Sequence, residues 1–138
     1  MSTQTVGRVH VSEIEPHDSC QGDEPQWLPV RHQFDVKSFG VNAWRAPSAG
    51  APVIEDHTET EGGADGHEEL YFVASGHARF TVGEEEIDAP AGTFVYVRDP
   101  SLRRSGVGIE DGTTVLAMGG RPGKAFRVSP WEKRHFGD

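Results

Sequence analysis

The sequence predicts an all-β domain of short antiparallel strands with little or no helix. Residues 67–97 alternate polar and apolar side chains with a period of two, and glycine and proline interrupt the pattern at regular intervals. The 138-residue chain also contains 17 glycines and 9 prolines, which suits many tight turns and argues against a helical bundle. This length is enough for one domain with its own core.

Each predicted strand follows from a run of alternating or continuously apolar residues. In 77–82, for example, Ala78, Phe80 and Val82 share one face, and the intervening polar residues share the other. Ser75-Gly76 marks a turn between two such runs. Strands are predicted at 6–11, 53–59, 68–74, 77–82, 93–97 and 113–118, and once or twice between 34 and 44.

The flanking segments divide the chain into three parts. We expect residues 1–32 to form an N-terminal arm that packs on a barrel, residues 33–120 to form the barrel, and residues 121–138 to form a tail. An arm over a sheet edge would cover its unpaired backbone groups. Trp131 in the tail is expected to pack against the body, because a large indole gains little from solvent.

Two short motifs resemble those of the cupin superfamily. Glu69 is followed after six intervening residues by Gly76, and Pro90-Ala91-Gly92 leads into an apolar strand. The resemblance covers most of the chain. It implies a cupin-like double-stranded β-helix, or jelly-roll barrel, that holds a small ligand. It also implies a homodimer, since family members often pair through sheet edges.

The metal-ligand pattern of the family is largely missing. Metal-dependent cupins typically use His-x-His and Glu from the first motif and one His from the second. Counting back from Glu69 places two of positions 62–65, which hold glycine, alanine and aspartate, where the histidines should be. Counting forward from Gly92 places Arg103 near the second-motif histidine.

A looser interpretation restores a mixed set of metal ligands. His57 and Glu59 end one predicted strand, and His67 and Glu69 begin the next with their side chains on one face. Such a His/carboxylate set could hold Fe, Mn, Ni or Zn. The alternative for both histidines is simple solvation in a polar, glycine-rich loop.

Glu69, Tyr71 and Arg103 are the candidate catalytic residues. Because neighbouring residues of a strand face opposite ways, either Arg103 or Arg104 should point inward. That arginine could pair with Glu69 or bind a substrate carboxylate, and the alternative is a solvated pair. The expected cavity lining adds Val73, Phe80, Val95 and Val97.

Three functions remain open at this point. The first is binding of a small polar or carboxylate metabolite without the usual metal, with no cofactor implied. The second is a metal-dependent oxygenase or isomerase that uses His57, His67 and Glu69. The third is a non-catalytic structural or regulatory module, which would have a filled barrel. Whether the protein is an enzyme is therefore undecided by the sequence.

Charge and cysteine content limit the partners and the compartment. The net charge of −9 without a basic stripe argues against nucleic acid and anionic membranes as partners. Cys20 is the only cysteine, so no intrachain disulfide can form. With no apolar secretory segment at the start of the sequence, we expect a cytoplasmic protein.

Overall fold

The computed structural model describes residues 5–60 and 66–136, which form two antiparallel sheets packed face to face. Positions 62–65, which the family pattern assigns to the missing histidines, lie outside the described residues. Nine strands are described, in the chain order β1 Gln26–Leu28, β2 Gly40–Arg45, β3 Pro52–His57, β4 Glu68–Ser75, β5 His77–Val82, β6 Glu85–Pro90, β7 Phe94–Val97, β8 Arg104–Gly108 and β9 Thr114–Gly120.

The strand order in each sheet brings distant parts of the chain together. One sheet has five strands in the order β1-β2-β9-β4-β7, and the other has four in the order β3-β8-β5-β6. In the first sheet Glu69 of β4 lies opposite Gly119 of β9. In the second sheet His57 of β3 lies opposite Arg104 of β8. The predicted all-β jelly-roll architecture is confirmed.

Helical structure is limited to short pieces. α1 spans Val30–Phe34 and α2 spans Pro130–Phe136. The predicted strand at 6–11 is wrong: a 3-10 turn forms at Val11–Glu13, because the His10 side chain and Glu13 cap it reciprocally. No helix within the described residues is long and apolar enough to cross a membrane.

The main core lies between the two sheets. Val73, Phe80, Val95 and Val97 are buried there, where they pack with other apolar side chains from both sheets. They were expected to line a cavity, and that expectation is wrong: none of the four belongs to the cavity lining, because each is packed among core side chains.

Gly76 ends β4 in a conformation that only glycine adopts easily. Its φ is +76°, and a Cβ at this position would lie 2.7 Å from the Cα atom of Thr113. The glycine of the Glu-x6-Gly pattern therefore allows the turn between β4 and β5 to pass close to the start of β9.

The N-terminal and C-terminal segments both pack on the five-stranded sheet. Ile14 packs with Leu28 and Ala43 on one side of it, and β1 is its edge strand. From the C-terminal side, Trp131 of α2 packs against Trp27 and Trp44, which confirms its predicted contact with the body. Among the described residues of the two segments, only those of the C-terminal one contribute to the cavity lining.

Candidate functional site

A cavity of about 370 Å³ opens between the two sheets and is lined by residues of β2, β3, β4, β9 and α2. Its walls carry the aromatic rings of Trp44, Phe126 and Trp131. Cavities whose walls combine aromatic side chains with a few polar groups are typical of small-molecule sites. The polar groups that the sequence predicted to converge are His57, Glu59, His67, Glu69 and Tyr71, and all five line this cavity.

His57, at the end of β3, is held by three oxygen acceptors. Its Nδ1 donates to the backbone carbonyl of Glu55 at 2.7 Å, and its Nε2 donates to Glu59 Oε2 at 2.8 Å. Glu69 Oε1 lies 3.8 Å from the same Nε2. Burial lowers the pKa of His57, but the hydrogen bonds to Glu59, Glu69 and the Glu55 carbonyl outweigh it and raise this pKa to about 10. His57 is therefore an imidazolium at neutral pH.

Glu69 accepts hydrogen bonds from two other buried side chains. Its Oε1 lies 3.0 Å from Nη1 of Arg104 and also accepts the hydroxyl of Tyr71. Burial alone would raise the pKa of Glu69, but the contacts with His57, Tyr71 and Arg104 lower it below its usual value. Burial and the Glu69 charge raise the pKa of Tyr71, so its phenol keeps its proton.

The inward-facing arginine is Arg104, so the choice of Arg103 as a candidate site residue is corrected. Arg104 is fully buried, whereas Arg103 is exposed and its guanidinium contacts Asp56 at 3.3 Å. Arg104 begins β8, which pairs with β5 in a regular ladder, so it lies on the same buried face as Gly106. Counting from Gly92 misses this face by one residue, because no periodic pattern in the connection before β8 fixes its length.

His67 lies beside the charged cluster rather than within it. It is buried, and its Nδ1 is 3.8 Å from Glu59 Oε1. Its ring also faces Phe126, at a centroid distance of 6.2 Å. The structure thus brings His57, Glu59 and Glu69 together and places His67 at their edge.

The donor set of this cluster could hold a divalent metal. Ligand atoms of His57, Glu59 and Glu69 all lie within 4.8 Å of one another. The hydrogen bond from Nδ1 to a carbonyl directs Nε2 toward the two carboxylates, which is the usual orientation of a metal-binding histidine. One imidazole and two carboxylates suit Fe, Mn, Ni or Zn.

Several cavity residues were missed by sequence reasoning. Asn42 and Trp44 alternate on β2, and Glu132 and Arg134 come from α2. The alternation along β2 could have revealed Asn42 and Trp44 as neighbours on one face. No pattern in the sequence connects β2 with a helix 90 residues away.

Solved structures with the same architecture include cupin proteins. KdgF from Halomonas sp. has a TM-score of 0.65 and 14% identity, over 90% of this chain and 96% of that one. A sugar phosphate isomerase of the cupin superfamily from Silicibacter pomeroyi has a TM-score of 0.63 and 17% identity, over 83% of this chain and 76% of that one.

Pac13, a nucleoside dehydratase, has a TM-score of 0.56 and 18% identity, over 83% of this chain and 82% of that one. A Streptomyces Pac13 variant has also been solved with uridine. No family model matches the sequence, and no curated protein matches it significantly. The chain has the cupin fold, and at these identities the likeness establishes the fold alone.

Proposed function

We propose that this protein binds a small polar metabolite in its cavity, next to a charged cluster that is complete without a metal ion. The observation that carries the proposal is the ion pair between Arg104 and Glu69, at 3.0 Å. Arg104 provides a permanent cation on the carboxylate that would otherwise be the best-placed metal ligand. With His57 protonated, its positive charge and that of Arg104 balance the carboxylates of Glu59 and Glu69.

The cluster also supports proton transfer to and from a bound molecule. His57 carries an N–H proton between two carboxylates, and Tyr71 retains a phenolic proton next to Glu69. A donor and an acceptor at one end of a cavity are the minimum that acid–base chemistry requires. The relatives described as a sugar phosphate isomerase and a nucleoside dehydratase act on small polar molecules, which supports the same class of ligand here.

Calorimetry on metal-stripped protein tests this proposal. Sugars, sugar phosphates and nucleosides serve as the probe panel, and we expect at least one to bind the wild type and to raise its Tm. His57→Gln and Glu69→Gln should weaken that binding at least about tenfold, since each removes a charged hydrogen-bonding group from the cavity.

His77→Gln is the matched control. His77 pairs with Asp88 on the outside of the four-stranded sheet, so this variant should bind as the wild type does. Binding that needs an added metal, or no binding by any member of the panel, would contradict the proposal.

The second candidate is a metal-dependent enzyme, and the orientation of His57 favours it. A divalent ion would be held by His57, Glu59 and Glu69, with His67 nearby. Such an ion would polarise a bound substrate or activate O2. Metal would have to displace the proton from Nε2 of His57, so metal affinity should fall steeply as the pH is lowered.

We also propose that the protein is a cytoplasmic homodimer. Phe94 and Tyr96 are exposed on β7, which is an edge strand of the five-stranded sheet. Large exposed apolar side chains on an edge strand favour pairing with a second copy. The single cysteine supports a reducing compartment, and the acidic charge disfavours nucleic acid as a partner.

A further inference from the structure

We infer that the part of the cavity next to Asn42 selects a neutral hydrogen-bond donor, such as a polyhydroxy compound, over a carboxylate, and that Asn42 is the acceptor that recognises it. This inference rests on the proposed function, because it assumes that the cavity binds a small polar molecule. It also narrows that function, since the sequence had left polar and carboxylate ligands equally open.

The orientation of the Asn42 amide is fixed by a buried polar network. Nδ2 of Asn42 donates to Glu132 Oε1 at 3.1 Å, and the other carboxylate oxygen of Glu132 accepts from Nε of Arg31. All three side chains are more than nine-tenths buried. Since an ionised carboxylate can only accept, the amide nitrogen must face Glu132, and the amide oxygen must face away from it.

The amide oxygen of Asn42 lacks the donor that a buried acceptor normally has. Among residues 5–60 and 66–136, Oδ1 of Asn42 is buried without a hydrogen-bond partner. Asn42 lines the cavity and lies on the same face of β2 as Trp44. Because buried acceptors are almost always paired, a ligand hydroxyl or N–H that reached this oxygen would remove an unfavourable desolvation.

The basic groups next to Glu69 already have partners in the protein. Arg104 is fully buried and donates to Glu69 and to the carbonyls of Leu102 and Asp99, at 2.9–3.1 Å. Both ring nitrogens of His57 lie within 2.8 Å of protein oxygens. A ligand carboxylate here would meet the oxygens of Glu59, Glu69 and Asn42, which repel it.

Besides His57, the described cavity lining contains two basic side chains, and only one of them is available to a charged group of the ligand. Arg134, on α2, is exposed and lines the cavity, whereas His67 is buried beside Glu59. The rings of Trp44 and Trp131 also line the cavity, with their centroids 6.1 Å apart. The site therefore suits a neutral, donor-rich molecule with a flat apolar face, whose charged group, if it has one, lies beside Arg134.

Binding of D-ribose and D-ribonate, which share a carbon skeleton and differ in charge, tests the ligand class. Calorimetry on the wild type should give at least about tenfold tighter binding of D-ribose, the difference of roughly one hydrogen bond. Asn42→Leu is nearly isosteric and removes the acceptor, so it should abolish that preference. Lys133→Ala, on the exposed side of α2 and outside the cavity lining, should retain it.

The possible outcomes separate this inference from the function it rests on. Tighter binding of D-ribonate, or an unchanged preference in Asn42→Leu, would overturn the inference and leave the binding function intact. If neither probe nor any other panel member binds the wild type, that result contradicts both the proposed function and the inference.

The wild type also gives a direct measure of the role of Asn42 if Asn42→Leu does not fold. In NMR spectra of the wild type, the side-chain amide resonances of Asn42 should shift on addition of D-ribose. An unshifted amide at saturation, or a crystal structure of the complex with only a water on Oδ1, would overturn that role.

Discussion

Arg104 and Arg103 are adjacent in sequence but lie in opposite environments. Arg104 has a fully buried guanidinium on Glu69, whereas the side chain of Arg103 is 55% exposed beside Asp56. A buried charge that loses its partner keeps its desolvation penalty, while an exposed pair is screened by water. The same substitution should therefore have very different effects at the two positions.

We predict that Glu69→Gln lowers the free energy of unfolding by about 3–5 kcal/mol, because it leaves the Arg104 cation buried without its carboxylate. Asp56→Asn, which breaks the exposed pair with Arg103, should change it by less than about 1 kcal/mol. Urea unfolding of both variants measures the two effects. Equal losses would mean that the Arg104–Glu69 pair is not buried.

The cluster should also make stability depend on pH in the alkaline range. The pKa of His57 rises from 6.5 to about 10 on folding, so its contribution is complete below pH 6.5 and is lost as the pH rises through about 10. The pKa of Glu69 is lowered, so its contribution is present above about pH 4.5 and is lost on further acidification.

Urea unfolding of metal-stripped protein between pH 6 and 10 checks this dependence. We expect stability to fall steadily over this range in the wild type, and the slope to be much smaller in His57→Gln, which cannot titrate. A wild-type curve that is flat up to pH 10, or the same slope in both proteins, would show that His57 is not a stabilised imidazolium.

At the scale of elements, the turn between β4 and β5 depends on Gly76. We predict that Gly76→Ala lowers the free energy of unfolding by about 2–5 kcal/mol, from left-handed backbone strain and overpacking against Thr113. Gly92 also has a positive φ, but a Cβ added there would meet open space, with no contact within 4 Å. Gly92→Ala should therefore cost only about 1–2 kcal/mol.

Thermal unfolding of the two variants provides the comparison. Similar losses of stability at both glycines would show that close approach to Thr113 does not constrain the turn.

Strands and turns of the barrel could be predicted from the sequence because each depends on a pattern of neighbouring residues. The alternation in 77–82 and the Ser75-Gly76 turn each lie within a few residues, and β5 occupies the predicted range. The inward arginine could not be predicted, because alternation requires one of two adjacent arginines to face inward but only the pairing of β8 with β5 shows which one.

The network around Asn42 could not be predicted for a different reason. It joins α1, β2 and α2 through Arg31, Asn42 and Glu132, which are far apart in the chain and have ordinary local contexts. Short patterns report periodicity and turns, and they carry no information about which distant side chains meet. The cluster of His57, Glu59 and Glu69 was partly accessible, because two of its members end one strand and the third begins the next.

At the scale of the whole molecule, we predict a homodimer formed through the β7 edge. Phe94 is 61% exposed, and its ring packs against Phe72 in a tilted arrangement at a centroid distance of 4.6 Å, so much of the Phe94 ring is available to a second copy. Phe94→Glu should weaken dimerisation at least about tenfold, by placing a charge in an apolar interface.

Light scattering after size-exclusion chromatography measures this effect, with Leu102→Glu as the control on a turn outside that sheet. A wild type that stays monomeric at high concentration, or a Phe94→Glu variant that dimerises normally, would contradict the proposed interface.

The most direct test of the charge-balanced cluster is the metal content of the purified, untagged protein, measured by elemental analysis before and after incubation with Fe(II), Mn(II), Ni(II) or Zn(II). The pairing of Arg104 with Glu69 and the protonation of His57 predict much less than one metal per chain, with no difference between the wild type and Glu69→Ala. Near-stoichiometric metal that is lost in both Glu69→Ala and His67→Ala would contradict the metal-free account and establish a metal-dependent cupin site.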